Sequence, residues 1–258
     1  MKEILSKDNK LIKYIAKLQT SAKFRREECR FVAEGLRVCV EAAINKASIE
    51  SVLITETALN KHKNEVVPLL ESGADVYLTS EKALAAACDT KTPQGVICVI
   101  KTLDNNIDLD TINNKYILLE NVQDPSNLGT VLRTADALGL NGVIMTSDCC
   151  DIYSPKVCRG AMGALFRVPF MIIDNAPSFI RDFNKHGRSF AAVVRNADSV
   201  TDADFSGNTL IVVGNEGNGL TKETIEACSS AVTIKMCNNA ESLNASIAAA
   251  ILMWEMIK

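Results

Sequence analysis

The 258-residue sequence has only two histidines, His62 and His186, a single tryptophan, and no C-x-x-C pair among its nine cysteines. Structural zinc normally shows itself through such paired cysteines, so no metal partner is expected. Both histidines sit in polar sequence and read as solvated, which argues against imidazole catalysis. No apolar run approaches the roughly 20 residues of a membrane-crossing helix, and the first residues, MKEILSKDNK, carry no apolar signal core. With an odd cysteine count, these absences predict a protein of a reducing, cytoplasmic compartment, away from membranes. Disorder is excluded too, because 47% hydrophobic against 23% charged residues supports a substantial core.

The net charge of −3 hides an asymmetry. Up to Arg26 there are eight basic residues against Glu3 and Asp8, a balance of +6, which leaves −9 for the remainder. Asn9 is positioned to cap a helix whose Leu11, Ile12, Ile15 and Leu18 share one face while Lys10, Lys13 and Lys17 share another. With Arg25 and Arg26 these lysines form a candidate phosphate-facing patch, the alternative being an ordinary solvated face.

Beyond it the patterns predict a helix over 36–44, a strand IESVLIT, a helix near 63–71, a strand DVYLT, a short helix capped by Ser80, and a strand ending at Ile100. Residues 1–100 therefore read as a small α/β domain. Residues 101–115, rich in Asp and Asn and poor in core residues, read as a linker. Across 116–258, the apolar strands YILLENV, VIMTS, FMIID, FAAVV, TLIVVGNE and AVTIKM alternate with helical patterns. That alternation predicts an α/β domain with a mostly parallel sheet covered on both faces, and ligands in such sheets gather at the carboxyl ends of strands.

Three segments at those ends carry unusual residues. In ENVQDPSNLGTVLRTADALG (120–139) a strand stops at Asp124-Pro125, turns through Asn127 and Gly129, and enters a helix holding Arg133. In LIVVGNEGNGL (210–220) three glycines follow a strand, yet the G-x-G-x-x-G order is missing and no Gly-Lys-Ser/Thr occurs. Glu216 within that loop would repel a pyrophosphate, so the loop suits a ligand that is uncharged or cationic, and a nucleotide-dependent oxidoreductase is disfavoured. In VTIKMCNNAESLNASIAAAILMWE (232–255) a strand leads through the polar run Glu241-Ser242-Leu243-Asn244 into an alanine-rich terminal helix starting near Ser242.

Taken in order, N-x-x-D-P-x-N-x-G-x-x-x-R-x-A-x-A-x-G, then G-N-E-G-x-G-L, then I-x-M followed by E-S-L-N, the chain resembles the SpoU, or TrmH, family of RNA ribose 2′-O-methyltransferases. The run SPKVCRGAMGALFRVP (154–169) is similar to the family as well, and the first hundred residues resemble the substrate-binding domain that precedes the catalytic domain in many members. The resemblance implies a SPOUT-type catalytic domain with a C-terminal trefoil knot, an exception to the rule that chains avoid threading. It implies S-adenosyl-L-methionine as cofactor, with backbone contacts from Gly214, Ile234 and Leu243 and close approach permitted by Gly219. It also implies a homodimer whose active site both subunits complete, and ribosomal RNA of the large subunit as substrate. A transfer RNA methyltransferase, or a non-catalytic RNA-binding assembly factor of the same fold, are the alternatives.

Arg133 matches the arginine proposed to act at the ribose hydroxyl. Since a guanidinium titrates above pH ~12, binding the adjacent phosphate and stabilising the developing alkoxide is the role expected of it. Asn127, Glu216, Ser242 and Asn244 match the remaining polar positions and are expected to order Arg133, the ribose and the loops. Two departures stand out, Lys235 where the family usually has proline and Ala161 where many members have serine.

Overall fold

The computed structural model describes residues 1–104, 107–109, 112–237 and 241–258. The chain divides into two compact units, Met1–Asp104 with Asp151–Arg167, and Asn105–Cys150 with Val168–Lys258. The elements run β1 (Lys2–Ile4), α1 (Lys10–Thr20), α2 (Ala22–Glu28), β2 (Arg30–Glu34), α3 (Leu36–Ile44), β3 (Ile49–Thr55), α4 (Glu56–Lys61), α5 (Val67–Leu70), β4 (Asp75–Thr79), α6 (Glu81–Ala87) and β5 (Val96–Lys101). They continue with β6 (Lys115–Leu119), α7 (Pro125–Leu138), β7 (Gly142–Thr146), α8 (Pro155–Ala161), β8 (Phe170–Ile173), α9 (Ala176–Phe183) and β9 (Arg188–Ala192). The chain then closes through β10 (Asp198–Ser199), β11 (Thr209–Val213), α10 (Lys222–Ala227), β12 (Ser230–Thr233) and α11 (Ala245–Ile257).

The first unit is built on a sheet of order β1-β4-β3-β5-β2. β1, β4 and β3 are parallel, and β5 runs antiparallel to both β3 and β2. β2 therefore runs with β3, so Glu34, Thr55 and Thr79 end their strands at one edge of the sheet. Asn9 caps α1 as expected, accepting from the Leu11 N–H at 2.8 Å. The apolar stripe of α1, Ile12, Ile15 and Leu18, is buried among Leu53, Leu84 and Ile97. Ser80 caps α6 through the Ala83 N–H.

Of the helix expected near 63–71 only the short α5 (Val67–Leu70) forms, and α4 (Glu56–Lys61) precedes that range. Thr55 caps α4 directly at the end of β3, and Pro68, whose missing N–H suits a first helical turn, opens α5. β1 escaped the sequence reading because three residues carry no periodicity.

Residues 151–167, placed with the second domain by sequence, belong to the first unit. Asp151 pairs with Arg25 at 2.7 Å, the Phe31 ring meets Tyr153 and Phe166 at 4.6 and 6.3 Å, Arg159 reaches Asp89 at 2.7 Å, and Arg167 pairs with Glu41. These partners lie more than a hundred residues upstream for Asp151 and Phe166, a spacing that local patterns do not report. Ala161 ends α8 fully buried, so a serine hydroxyl there would face the core and not RNA.

The second unit has a sheet of order β10-β12-β9-β11-β6-β7-β8 in which every described pairing is parallel. Its core includes Tyr116, Leu118, Ile144, Ile180, Leu210 and Val212. Within the expected linker, residues 105–106 and 110–111 lie outside the described residues. Ile107, however, is a core residue, packed so closely on Gly142 that a Cβ there would lie 2.6 Å from its Cδ1. α11 packs on α7, β11 and β6, burying Ala249, Leu252, Met253 and Met256. It starts at Ala245, later than Ser242, because Asn244 takes the cap and accepts from the Ser246 and Ile247 N–H groups. The C-terminal segment expected to thread a knot includes 238–240, outside the described residues.

Candidate active site

In the second unit β6, β9, β11 and β12 are parallel, and the loops that leave their carboxyl ends build one site. β6 stops at Leu119, and after a turn Asp124 caps α7 by accepting from the Ser126 N–H at 2.8 Å. β11 stops at Val213, and the following loop closes on itself through paired hydrogen bonds between Asn215 and Gly219 at 2.9 and 3.1 Å. A Cβ on Gly214 would lie 2.3 Å from the Gly219 carbonyl carbon and 2.4 Å from the Leu220 nitrogen. Only glycine lets the backbone cross itself there. Gly219 has φ +69 and open space beside it, so its requirement is conformational.

Glu216 joins the two loops. Its carboxylate accepts from the Asn127 side chain at 2.8 Å, the Asp124 N–H at 3.1 Å and the Gln123 N–H at 3.2 Å. Partial burial opposes its charge, but the hydrogen bonds from Asn127, from its own backbone and from Asp124 and Gln123 more than offset that and hold its carboxyl below the usual range. Asn215 adds a bond from its Nδ2 to the Asn121 carbonyl at 2.8 Å.

Beside these loops lies a cleft of about 580 Å³. Gly214–Gly219 form one wall, Ile234, Met236 and Glu241–Leu243 another, and Val213, Val232, Ala248 and Leu252 give it an apolar interior. β12 ends at Thr233, short of the expected AVTIKM strand, which frees Ile234 and Met236 to line the cleft. Sequence reasoning missed the loop after β9, Val193–Arg195, which also lines it; Arg195 is the one cation among the lining residues, facing a site that otherwise holds Glu216 and Glu241. The signal lay in position alone, directly after a parallel strand.

The profile of the SpoU rRNA methylase family matches residues 114–254, more than half of the chain and all of these loops. The chain belongs to that family. Residues 9–98 match the MRM3-like substrate binding domain. Among the SpoU relatives, the 23S rRNA (guanosine(2553)-2′-O)-methyltransferase RlmP of Bacillus subtilis is 31% identical over 257 residues, covering 99% of each chain. The 23S rRNA (guanosine-2′-O-)-methyltransferase RlmB of Shewanella oneidensis is 29% identical over 84% of this chain and 93% of its own. The crystal structure of an AdoMet-bound rRNA methyltransferase from Sinorhizobium meliloti superposes with a TM-score of 0.87 at 27% identity, covering 99% of this chain and 97% of that one.

Against this SpoU frame, the predicted residues separate. Gly214, Gly219, Ile234, Leu243, Glu216 and Ser242 line the cleft. Asn127 is buried and serves Glu216, and Asn244 caps α11. Arg133 lies on the third turn of α7, exposed and outside the cleft lining of its own chain. No hydrogen bond or ion pair joins it to a described residue. Lys235 is exposed and does not line the cleft.

The basic patch needs one correction. Arg25 is only 5% exposed, its guanidinium held by Asp151 and by the Leu18 and Gln19 carbonyls at 2.5 and 3.2 Å, so it is a core element and not a phosphate contact. Lys10 and Arg26 are exposed, Lys13 faces Asp8 at 3.5 Å, and the Lys17 ammonium sits 3.9 Å from the centre of the Phe24 ring. Among the described residues no group of three or more His, Cys, Asp or Glu is placed to hold a metal ion, and no helix is long and apolar enough to cross a membrane.

Proposed function

We propose that this SpoU protein methylates a ribose 2′-hydroxyl of structured RNA using S-adenosylmethionine, with large-subunit ribosomal RNA as its substrate. The carrying observation is the cleft in which the backbone crosses at Gly214 and Glu216 ties the two motif loops together. The residues there fit the cofactor: backbone groups and apolar walls for an adenosine, no phosphate cradle, and acidic side chains tolerant of a cationic centre. When bound, S-adenosylmethionine supplies a methyl group on an electrophilic sulfonium.

Gly214, Ile234 and Leu243 would hold that cofactor through their backbones, Val213 and Leu252 through apolar contact, and Arg195 through its carboxylate end. Ser242 lines the same cleft and would orient the ribose. Asn127, Glu216 and Asn244 would hold loops in place without touching the reacting atoms. Arg133 would bind the phosphate beside the target ribose and stabilise the negative charge that develops on the 2′-oxygen.

Because Arg133 stands outside the cleft of its own chain, this reading needs a second copy to bring the arginine to the site. Ile247 and Trp254, 53% and 56% exposed on α11, offer an apolar face for such a homodimer. A trefoil knot through the segment before α11 and a cytoplasmic location belong to the same reading, with the first unit engaging RNA and the second holding cofactor.

Single-turnover transfer of labelled methyl to ribosomal RNA tests it. Arg133→Ala should lose a hundredfold or more, roughly 3 kcal/mol, while circular dichroism and cofactor calorimetry stay unchanged; Arg133→Lys should rescue poorly because the planar fork is gone. Near-normal transfer by the alanine variant removes Arg133 from the mechanism.

A further inference from the structure

The first unit contains a cleft of its own, about 440 Å³, which the site above does not use. It opens at the edge where β2, β3 and β4 end and β5 begins, the position at which parallel strands collect ligands. Its walls are fixed. Gln94 accepts from the Leu36 N–H at 3.1 Å, tying the loop before β5 to the start of α3. Gly95, at φ +84, sits so near α4 that a Cβ would lie 2.6 Å from the Ala58 Cβ and 2.7 Å from the Thr55 Oγ1.

Two cations line this cleft from different helices, Arg37 on α3 and Lys61 at the end of α4. Both are exposed, and neither makes a hydrogen bond or ion pair with a described residue. Glu81 is the one acid among the lining residues, and His62 beside Lys61 is engaged by Glu65 at 2.7 Å. Of the three lysines of α1, Lys13 has an acidic neighbour and Lys17 an aromatic one, which leaves Lys10 alone uncommitted on a convex helix. Uncommitted cations converging on a preformed concavity are a better phosphate grip than a row of lysines on a convex helix, because less ordering is needed on binding.

We propose that this cleft holds the phosphodiester backbone of the RNA substrate, Arg37 and Lys61 each pairing with a phosphate. The proposal rests on the RNA-methylation reading and adds to it where the substrate is gripped. Contacts of this kind position RNA without reading its sequence.

The test uses the full chain, a large-subunit ribosomal RNA fragment, and filter binding across a salt series. Arg37→Gln with Lys61→Gln should weaken binding at least tenfold and reduce the slope of log affinity against log salt by about 1.4 to 1.8, the loss of two phosphate contacts. Replacing Lys10, Lys13 and Lys17 by Gln should change the slope less, and S-adenosylmethionine calorimetry should be unchanged in both variants. If wild type binds and methylates the RNA while the Arg37/Lys61 variant keeps its affinity and slope, the cleft is overturned and the methylation reading stands. A wild type that neither binds nor methylates ribosomal RNA overturns both.

Discussion

The two clefts occupy equivalent places in two different sheets, the carboxyl edge of parallel strands, yet they are built by opposite means. In the second unit the wall is backbone, shaped by glycine at 214 and 219 and braced by the Glu216 carboxylate, and its lining carries more acid than base. In the first unit the loops are braced by Gln94 and Gly95, and the lining ends in two unpaired cations. One edge is suited to a ligand with a cationic centre, the other to a polyanion. The lesson is that fold supplies the place and the loop chemistry chooses the ligand.

Gly214→Ala should break this contrast most severely, because no backbone shift of a few tenths of an ångström relieves a Cβ 2.3 Å from the Gly219 carbonyl carbon. Calorimetry should show at least a hundredfold loss of S-adenosylmethionine affinity with the RNA salt slope unchanged. Gly219→Ala, with open space around it, should cost about 1–2 kcal/mol for its left-handed backbone, on the order of tenfold.

Arg25→Ala should act on the first unit by stability alone. It leaves Asp151 without its guanidinium, and denaturant unfolding should report a loss of about 3 kcal/mol, while the salt slope of RNA binding stays at its wild-type value. A slope that falls by a full phosphate contact would return Arg25 to the RNA surface.

Arg195→Met should weaken S-adenosylmethionine several-fold and leave 5′-methylthioadenosine, which has no carboxylate, at its wild-type affinity. Equal weakening of both ligands would assign Arg195 to the shape of the cleft.

The smallest effect concerns acid. The folded Glu216 carboxyl lies below its ordinary value of 4.5, so the stability it contributes is complete above that pH and is lost as pH falls through the lower folded value. Thermal melting from pH 7 downward should show a shallower acid slope for Glu216→Gln than for wild type, and parallel slopes would mean that Glu216 does not brace the loops.

What was legible in the sequence follows physical range. The α1 stripe, the Asn9 and Ser80 caps and the apolar strands are local patterns, and the structure keeps them. Glycines at 214 and 219 and the polar motif positions were visible as residues, but their division of labour was not, since Gly214 meets residues 219–220 and Glu216 meets Asn127 only once the loops are folded. Arg25 illustrates the limit most clearly. Counted by charge it belonged to a basic patch, and its partner Asp151 lies 126 residues away. The same distance explains why local patterns do not group residues 151–167 with the first unit.

The most direct measurement is a map of ribose 2′-O-methyl groups across ribosomal RNA from cells with the wild-type protein, without it, and with Arg133→Ala in its place. The account predicts a large-subunit ribose that is methylated only with the wild type and is bare in both other strains. Identical maps in all three strains would contradict it.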